Sequence, residues 1–67
     1  MEVSVNGKLT QTDALTVAAL LESLGITLAR SGVAVAVNGT VVPRLKWAET
    51  RLSGGDKVEI IRAVQGG

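Results

Sequence analysis

Two Asn-Gly dipeptides set the strongest constraint on this chain, because each lies between segments whose apolar residues recur at every second position. Asn6-Gly7 follows the segment MEVSV and precedes a second strand that begins at Leu9. Asn38-Gly39 follows VAVAV and precedes a short strand from Thr40 to Val42, which Pro43 ends because it lacks an amide hydrogen. A type I′ turn needs positive φ at both central residues, and Asn-Gly suits that need. The sequence therefore predicts two β-hairpins.

Between the two hairpins the apolar period changes from two residues to three or four. This spacing predicts one short helix with a single apolar stripe. Thr16 is a suitable N-cap, with Asp13 as an alternative, and Gly25 suits the position just after the last turn. Because so short a helix is unstable alone in water, its stripe has to pack against a sheet. The residues of the stripe are Val17, Leu20, Leu21 and Leu24.

The segment KVEIIRAV predicts a last strand after a turn at SGGD. Alternation places Ile61 of this strand on the sheet face away from the helix, together with Ala34 and Ala36 of the VAVAV strand. A contiguous exposed apolar patch tends to mark a protein contact, so these three residues are candidates for a partner-binding patch, with ordinary edge packing as the alternative. The residues predicted to face inward are Val33, Val35, Val37, Val58 and Ile60.

The segment RLKWAET predicts a single loose helical turn that carries Trp47, the one aromatic residue of the chain. Trp47 is expected to lie as a lid over one end of the core, with a docking anchor as the alternative. The predicted order is two strands, a helix, two strands, a loose turn and a last strand. This order predicts one α+β domain over residues 1–67, with one helix packed across one face of a mixed sheet.

Composition removes several classes of function. The chain has no cysteine and no histidine, and its six carboxylates are scattered, so we expect no catalytic residue and no metal site. Its net charge is +1 and its basic residues are spread out, which argues against nucleic-acid binding. No apolar stretch approaches the roughly 18 residues of a membrane span. The N-terminal segment MEVSV lacks the basic region of a signal peptide, so a cytoplasmic protein is expected.

The sequence closes on Gly66-Gly67. A terminal carboxylate is ionised at neutral pH and is a poor electrophile, so it reacts only after activation, most simply by transfer of AMP from ATP in a partner enzyme. Residues 64–67 are expected to form a flexible tail that reaches about 13–14 Å when extended. Glycine makes such a tail thin and easy to bend. The alternative is a terminus whose glycines are incidental.

The order of elements, the stretch VAVNGTVVPRLKWA and the ending GDKVEIIRAVQGG resemble the ThiS family, the ubiquitin-like sulfur carriers of thiamine biosynthesis. The resemblance covers the whole chain in length and layout, and its most specific part runs from Val33 to Gly67. The fold that it implies is the β-grasp. The function that it implies is that of a carrier and not of an enzyme.

The resemblance also implies partners and site residues. An E1-like, ThiF-type adenylating enzyme uses ATP and magnesium to form an acyl-adenylate on Gly67, and the chain itself binds no cofactor. Sulfur from a cysteine desulfurase then replaces AMP to give a thiocarboxylate, which thiazole synthase consumes. Gly66, with Gln65 and Val64, is expected to enter the partner's active site. No nucleic acid and no membrane are expected among the partners.

Three alternatives to this function stay open at the level of sequence. The small subunit of molybdopterin synthase shares the fold, the tail and the chemistry, but that family is usually longer and carries prolines before the glycines, where this chain has Ala63, Val64 and Gln65. Cysteine and tungsten carriers of the same fold are a second alternative. A β-grasp interaction module with an incidental Gly-Gly ending is the third, and it belongs to a different class of function.

Overall fold

The computed structural model describes residues 1–26 and 32–62. In these residues the elements are β1 (Glu2–Val5), β2 (Lys8–Gln11), α1 (Val17–Ser23), β3 (Val33–Val37), β4 (Thr40–Val42), a 3-10 turn (Arg44–Lys46) and β5 (Lys57–Arg62). The predicted order of elements is confirmed. The sheet has the strand order β2-β1-β5-β3-β4, with β1 and β5 parallel and every other pair antiparallel, so β5 lies at the centre of the sheet.

Both predicted hairpin turns are confirmed. Asn6 has a φ of 51° and Gly7 a φ of 84°, and Asn38 and Gly39 have values of 52° and 84°. All four residues therefore lie in the left-handed region, which asparagine and glycine occupy at the lowest steric cost. The first turn joins β1 to β2, which begins one residue earlier than predicted, and the second joins β3 to β4.

The helix α1 begins and ends where the sequence predicts. The Thr16 side-chain oxygen accepts a hydrogen bond from the Ala19 amide at 3.2 Å, so Thr16 and not Asp13 is the N-cap. Gly25 follows the last turn with a φ of 79°. The predicted stripe holds except at Leu24, which is 40% exposed because the helix has already ended. Ile26 is buried instead, and its amide donates to the Leu21 carbonyl at 2.9 Å.

The core lies between α1 and one face of the sheet. Val35 of β3 and Val58 of β5 belong to one buried cluster with the helix residues, and Val3 of β1 is also almost fully buried. The loop after β4 closes one end of this core, where the amide of Ala18 donates to the carbonyl of Trp47 at 3.1 Å. Among the described residues the core is entirely apolar, with no buried polar or charged side chain. The helix covers one face of the sheet and leaves the other face open.

Candidate functional site

The strand β5 is the element that leads towards the predicted tail. Its described part ends at Arg62, which pairs with Val33 of β3. The predicted tail residues, Val64, Gln65, Gly66 and Gly67, lie outside the described residues, as does Ala63. What the structure establishes is the surface that surrounds the end of β5, and that surface contains the other predicted site residues.

The three residues predicted for a partner-binding patch lie on the open face of the sheet. Ile61 of β5 is directly opposite Ala34 of β3 in the antiparallel register, and Ala36 lies two residues further along β3. Ile61 is 66% exposed, Ala34 is exposed, and Ala36 is half-buried. The alternation of the sequence therefore placed these side chains on the correct face, and the register brings Ala34 and Ile61 side by side.

Val41 extends this apolar surface, and the sequence analysis missed it. Val41 of β4 pairs with Ala36 and is 70% exposed, so it lies on the same face at the edge of the sheet. The signal that identifies it is the hairpin itself, because a two-residue turn at Asn38-Gly39 fixes which residue of β4 opposes Ala36. We refer to Ala34, Ala36, Val41 and Ile61 together as the open-face patch.

Charged side chains border the open-face patch along β5. Glu59 pairs with Ala36 in the register and lies on the same face, two residues before Ile61. Lys57 precedes it by a further two residues, and both side chains are exposed. An apolar centre next to a charged border is the arrangement that protein interfaces use, since the border adds specificity and the centre is desolvated on binding.

Trp47 belongs to the core and not to an exposed docking surface. Its side chain is 3% exposed, and its indole Nε1–H donates to the Val42 carbonyl at 2.9 Å. The guanidinium of Arg44 lies 5.5 Å from the centre of the ring, within the range of a cation–π contact. The predicted lid over one end of the core is therefore what the structure shows.

Asp56 acts in the turn before β5. One of its carboxylate oxygens accepts from the Ser53 amide at 2.8 Å, and the other accepts from Asn38 Nδ2 at 3.0 Å.

Among residues 1–26 and 32–62, no three side chains of the acidic, histidine or cysteine type gather where they could hold a metal ion. Within the same ranges, no helix is long and apolar enough to cross a bilayer.

A single helix across one face of a mixed five-stranded sheet, with two hairpins that meet at a central last strand, defines the β-grasp fold of the ubiquitin-like proteins. The profile of the ThiS family matches residues 3–67. The chain belongs to the ThiS family, which confirms the resemblance found in the sequence.

Solved structures agree with this assignment. The crystal structure of a thiamine biosynthesis protein (ThiS) from Geobacter metallireducens matches with a TM-score of 0.81 and 36% sequence identity, over 100% of this chain and 100% of that chain. The NMR solution structure of a thiamine biosynthesis protein from the same organism gives the same TM-score of 0.81 and 36% identity, over 100% of this chain and 88% of that chain. No curated protein matches the sequence.

Proposed function

We propose that this chain is a sulfur carrier of thiamine biosynthesis and that the carboxylate of Gly67 is the group that carries the sulfur. The observation that carries the proposal is the ThiS family match, which spans residues 3–67 and so includes Gly66 and Gly67. The similar structures from Geobacter metallireducens are described as thiamine biosynthesis proteins, which supports thiamine rather than molybdopterin synthesis as the pathway.

The proposed chemistry replaces one oxygen of the Gly67 carboxylate by sulfur. A carboxylate resists this exchange, because its negative charge repels nucleophiles and oxide is a poor leaving group. Transfer of AMP from ATP to a carboxylate oxygen gives an acyl-adenylate and releases pyrophosphate. A sulfur nucleophile at the oxidation level of sulfide then attacks the acyl carbon, AMP departs with the oxygen, and a thiocarboxylate remains.

In this proposal the activating groups belong to partners and the chain is a carrier, not an enzyme. It has no histidine or cysteine to act as base or nucleophile. We assign ATP and magnesium to an E1-like, ThiF-type adenylating enzyme, because magnesium neutralises phosphate charge during such a transfer. The sulfur originates from a cysteine desulfurase as a persulfide, a thiol reductant brings it to the sulfide level, and thiazole synthase removes it from the thiocarboxylate. We place these steps in the cytoplasm.

The open-face patch is the proposed docking surface for the adenylating enzyme. Ile61 lies on β5, one residue before Arg62 and six before Gly67 in the sequence, so a partner that covers this patch also contacts the strand that precedes the tail. Val41 and Ile61 supply large exposed apolar side chains, and the two alanines between them keep the surface low. Interface centres of this kind are depleted in charge and gain free energy when both sides are desolvated.

The direct test is the intact mass of the protein after incubation with ATP, magnesium, the cognate adenylating enzyme and sulfide. We expect a mass gain equal to the difference between sulfur and oxygen, and no gain when ATP is omitted. A pull-down with the loaded protein is expected to retain thiazole synthase. Retention of the large subunit of molybdopterin synthase instead would move the chain to the other pathway.

Two tail variants separate the carrier from an interaction module. Deletion of Gly66-Gly67 is expected to abolish the mass gain while the circular dichroism spectrum stays that of the parent. Addition of one residue after Gly67 is expected to do the same, because the reacting carboxylate then belongs to a different residue. Sulfur transfer to the extended chain without trimming would contradict the proposed attachment at Gly67.

A further inference from the structure

The two Asn-Gly turns share a feature that goes beyond making hairpins. In both, the asparagine side chain hydrogen-bonds to the segment formed by Asp56 and β5, more than fifteen residues away in the sequence. Asn38 Oδ1 accepts from the Lys57 amide at 2.9 Å, at the beginning of β5. Asn6 contacts the same strand at Ile60, near its end. The two side chains therefore bind β5 from opposite sides and at opposite ends.

Asn6 makes its contact with both ends of its side-chain amide. The Ile60 amide donates to Asn6 Oδ1 at 2.7 Å, and Asn6 Nδ2 donates to the Ile60 carbonyl at 3.1 Å. A side-chain amide has one acceptor and a donor group, as a peptide unit has, so it can replace a backbone segment in a ladder. The Asn6 side chain thus satisfies both backbone groups of one residue of β5.

The position of this contact continues the parallel ladder between β1 and β5. Along that ladder the Ser4 amide donates to the Asp56 carbonyl and the Asn6 amide donates to the Val58 carbonyl, each at 2.9 Å. The next carbonyl in the series belongs to Ile60, but the main chain leaves β1 at the Asn6-Gly7 turn. The Asn6 side chain takes the place that the next residues of a longer β1 would hold.

Without Asn6, Ile60 would lose its partner on the β1 side. The paired positions of β1 and β5 are only Ser4 with Lys57 and Val5 with Val58, whereas β3 pairs with β5 as far as Arg62. The contact is half-buried, so loss of the Asn6 side chain would leave the amide and the carbonyl of Ile60 without their partner in a place that water reaches only in part. Asn6 therefore holds β5 in the sheet two residues before Arg62, where the described part of the strand ends.

We propose that Asn6 is a positioning residue for the C-terminal segment: its side chain fixes β5 at Ile60 and so orients the strand from which the chain continues towards Gly67. This proposal rests on the proposed function, because the segment that it orients is the one that carries Gly67. A partner then meets a strand end that is already ordered, and binding does not have to supply the free energy of ordering it. In this proposal Asn6 takes no part in the chemistry and acts only through β5.

The test compares Asn6→Gly with Asn38→Gly, which is a matched control. Glycine accepts the φ of about 50° at both positions, so each variant keeps its turn and loses only the side-chain contacts. The first measurement is amide hydrogen exchange of the isolated protein at Ile60, with Ala18 as the reference, since its amide donates to Trp47 in the core. We expect exchange at Ile60 to rise by at least about 10-fold relative to Ala18 in Asn6→Gly and to stay near the parent value in Asn38→Gly.

The second measurement is the rate of adenylate formation by the partner enzyme at a temperature where both variants are fully folded. We expect Asn6→Gly to raise KM by about 3- to 10-fold with kcat unchanged, because the cost of ordering the strand falls on binding. Asn38→Gly is expected to stay within about 2-fold of the parent KM. A purely structural role would lower the melting temperature of both variants and leave KM unchanged in both.

Failure of the positioning role of Asn6 can be distinguished from failure of the proposed carrier function. Equal rises in exchange at Ile60 and Ala18, or equal KM values in the two variants, would overturn the positioning role. If the parent protein itself takes up no sulfur, the carrier function has failed. The exchange measurement alone then decides whether Asn6 holds the end of β5.

Discussion

Ile60 and Ile61 are the same residue type at adjacent positions of one strand, but their side chains differ widely in solvent exposure. Ile60 is 8% exposed and packs with the core under α1, whereas Ile61 is 66% exposed on the open face. Both are apolar, so hydrophobicity alone does not separate structural residues from binding residues here. The comparison teaches that the face of the sheet decides what a side chain can do: Ile60 is buried in the core on the helix side, and Ile61 is exposed on the face proposed to bind a partner.

The largest effect on stability is expected from Ile60→Ala. Removal of a buried isoleucine side chain leaves a cavity, which typically costs about 2–5 kcal/mol in the free energy of unfolding. Urea denaturation monitored by circular dichroism measures the change, with Ile61→Ala as the matched control. A loss below about 1 kcal/mol would show that the core around Ile60 collapses to fill the space, and the contrast between the two faces would weaken.

A smaller loss of stability is expected from Trp47→Phe, which tests the end of the core that Trp47 covers. Phenylalanine keeps an aromatic ring but has no N–H to donate to the Val42 carbonyl, which Trp47 contacts at 2.9 Å. A buried acceptor that loses its partner costs about 1–3 kcal/mol. Thermal and urea denaturation of the variant measure this cost. An unchanged midpoint would mean that neither the hydrogen bond nor the larger ring of Trp47 adds measurable stability.

The smallest effect on stability is expected from Ile61→Ala, which should stay within about 0.5 kcal/mol of the parent because the side chain is largely exposed. Its effect on binding, in contrast to its effect on stability, should be large. If the open-face patch docks the adenylating enzyme, loss of its largest side chain is expected to raise KM for adenylate formation by about 10-fold. Glu22→Ala, an exposed change on α1 away from the patch, is the control. An unchanged KM for Ile61→Ala would remove the patch from the proposed interface.

Local sequence rules were enough for most of the fold. The turn at Asn38-Gly39 needs only positive φ, and the positions of Thr16 and Gly25 depend only on the two ends of one helix. The opposite faces of Val35 and Ala34 follow from the two-residue period of a strand. In each case neighbours in the sequence determine the conformation, so the pattern can be read without knowing the rest of the molecule.

Val41 could have been placed in the open-face patch from the sequence, because the predicted two-residue turn fixes its pairing with Ala36. The two contacts of Asn6 with Ile60 could not have been predicted in this way, because they depend on the parallel pairing of β1 with β5, which are distant in the sequence. Leu24 fits the period of the helix, but it is the C-cap residue just after α1 and is exposed, whereas Ile26 is buried. The partner-binding role of the patch and the attachment at Gly67 remain predictions for the experiments above.

The central place of β5 also determines when this molecule can fold during its synthesis. The hairpin of β1 and β2 and the hairpin of β3 and β4 meet through β5, which pairs with β1 on one side and β3 on the other. A two-stranded hairpin alone is at best marginally stable in water. Until Lys57–Arg62 is available, the nascent chain can form at most two separate hairpins and no continuous sheet, so the five-stranded sheet assembles only after β5 has been synthesised.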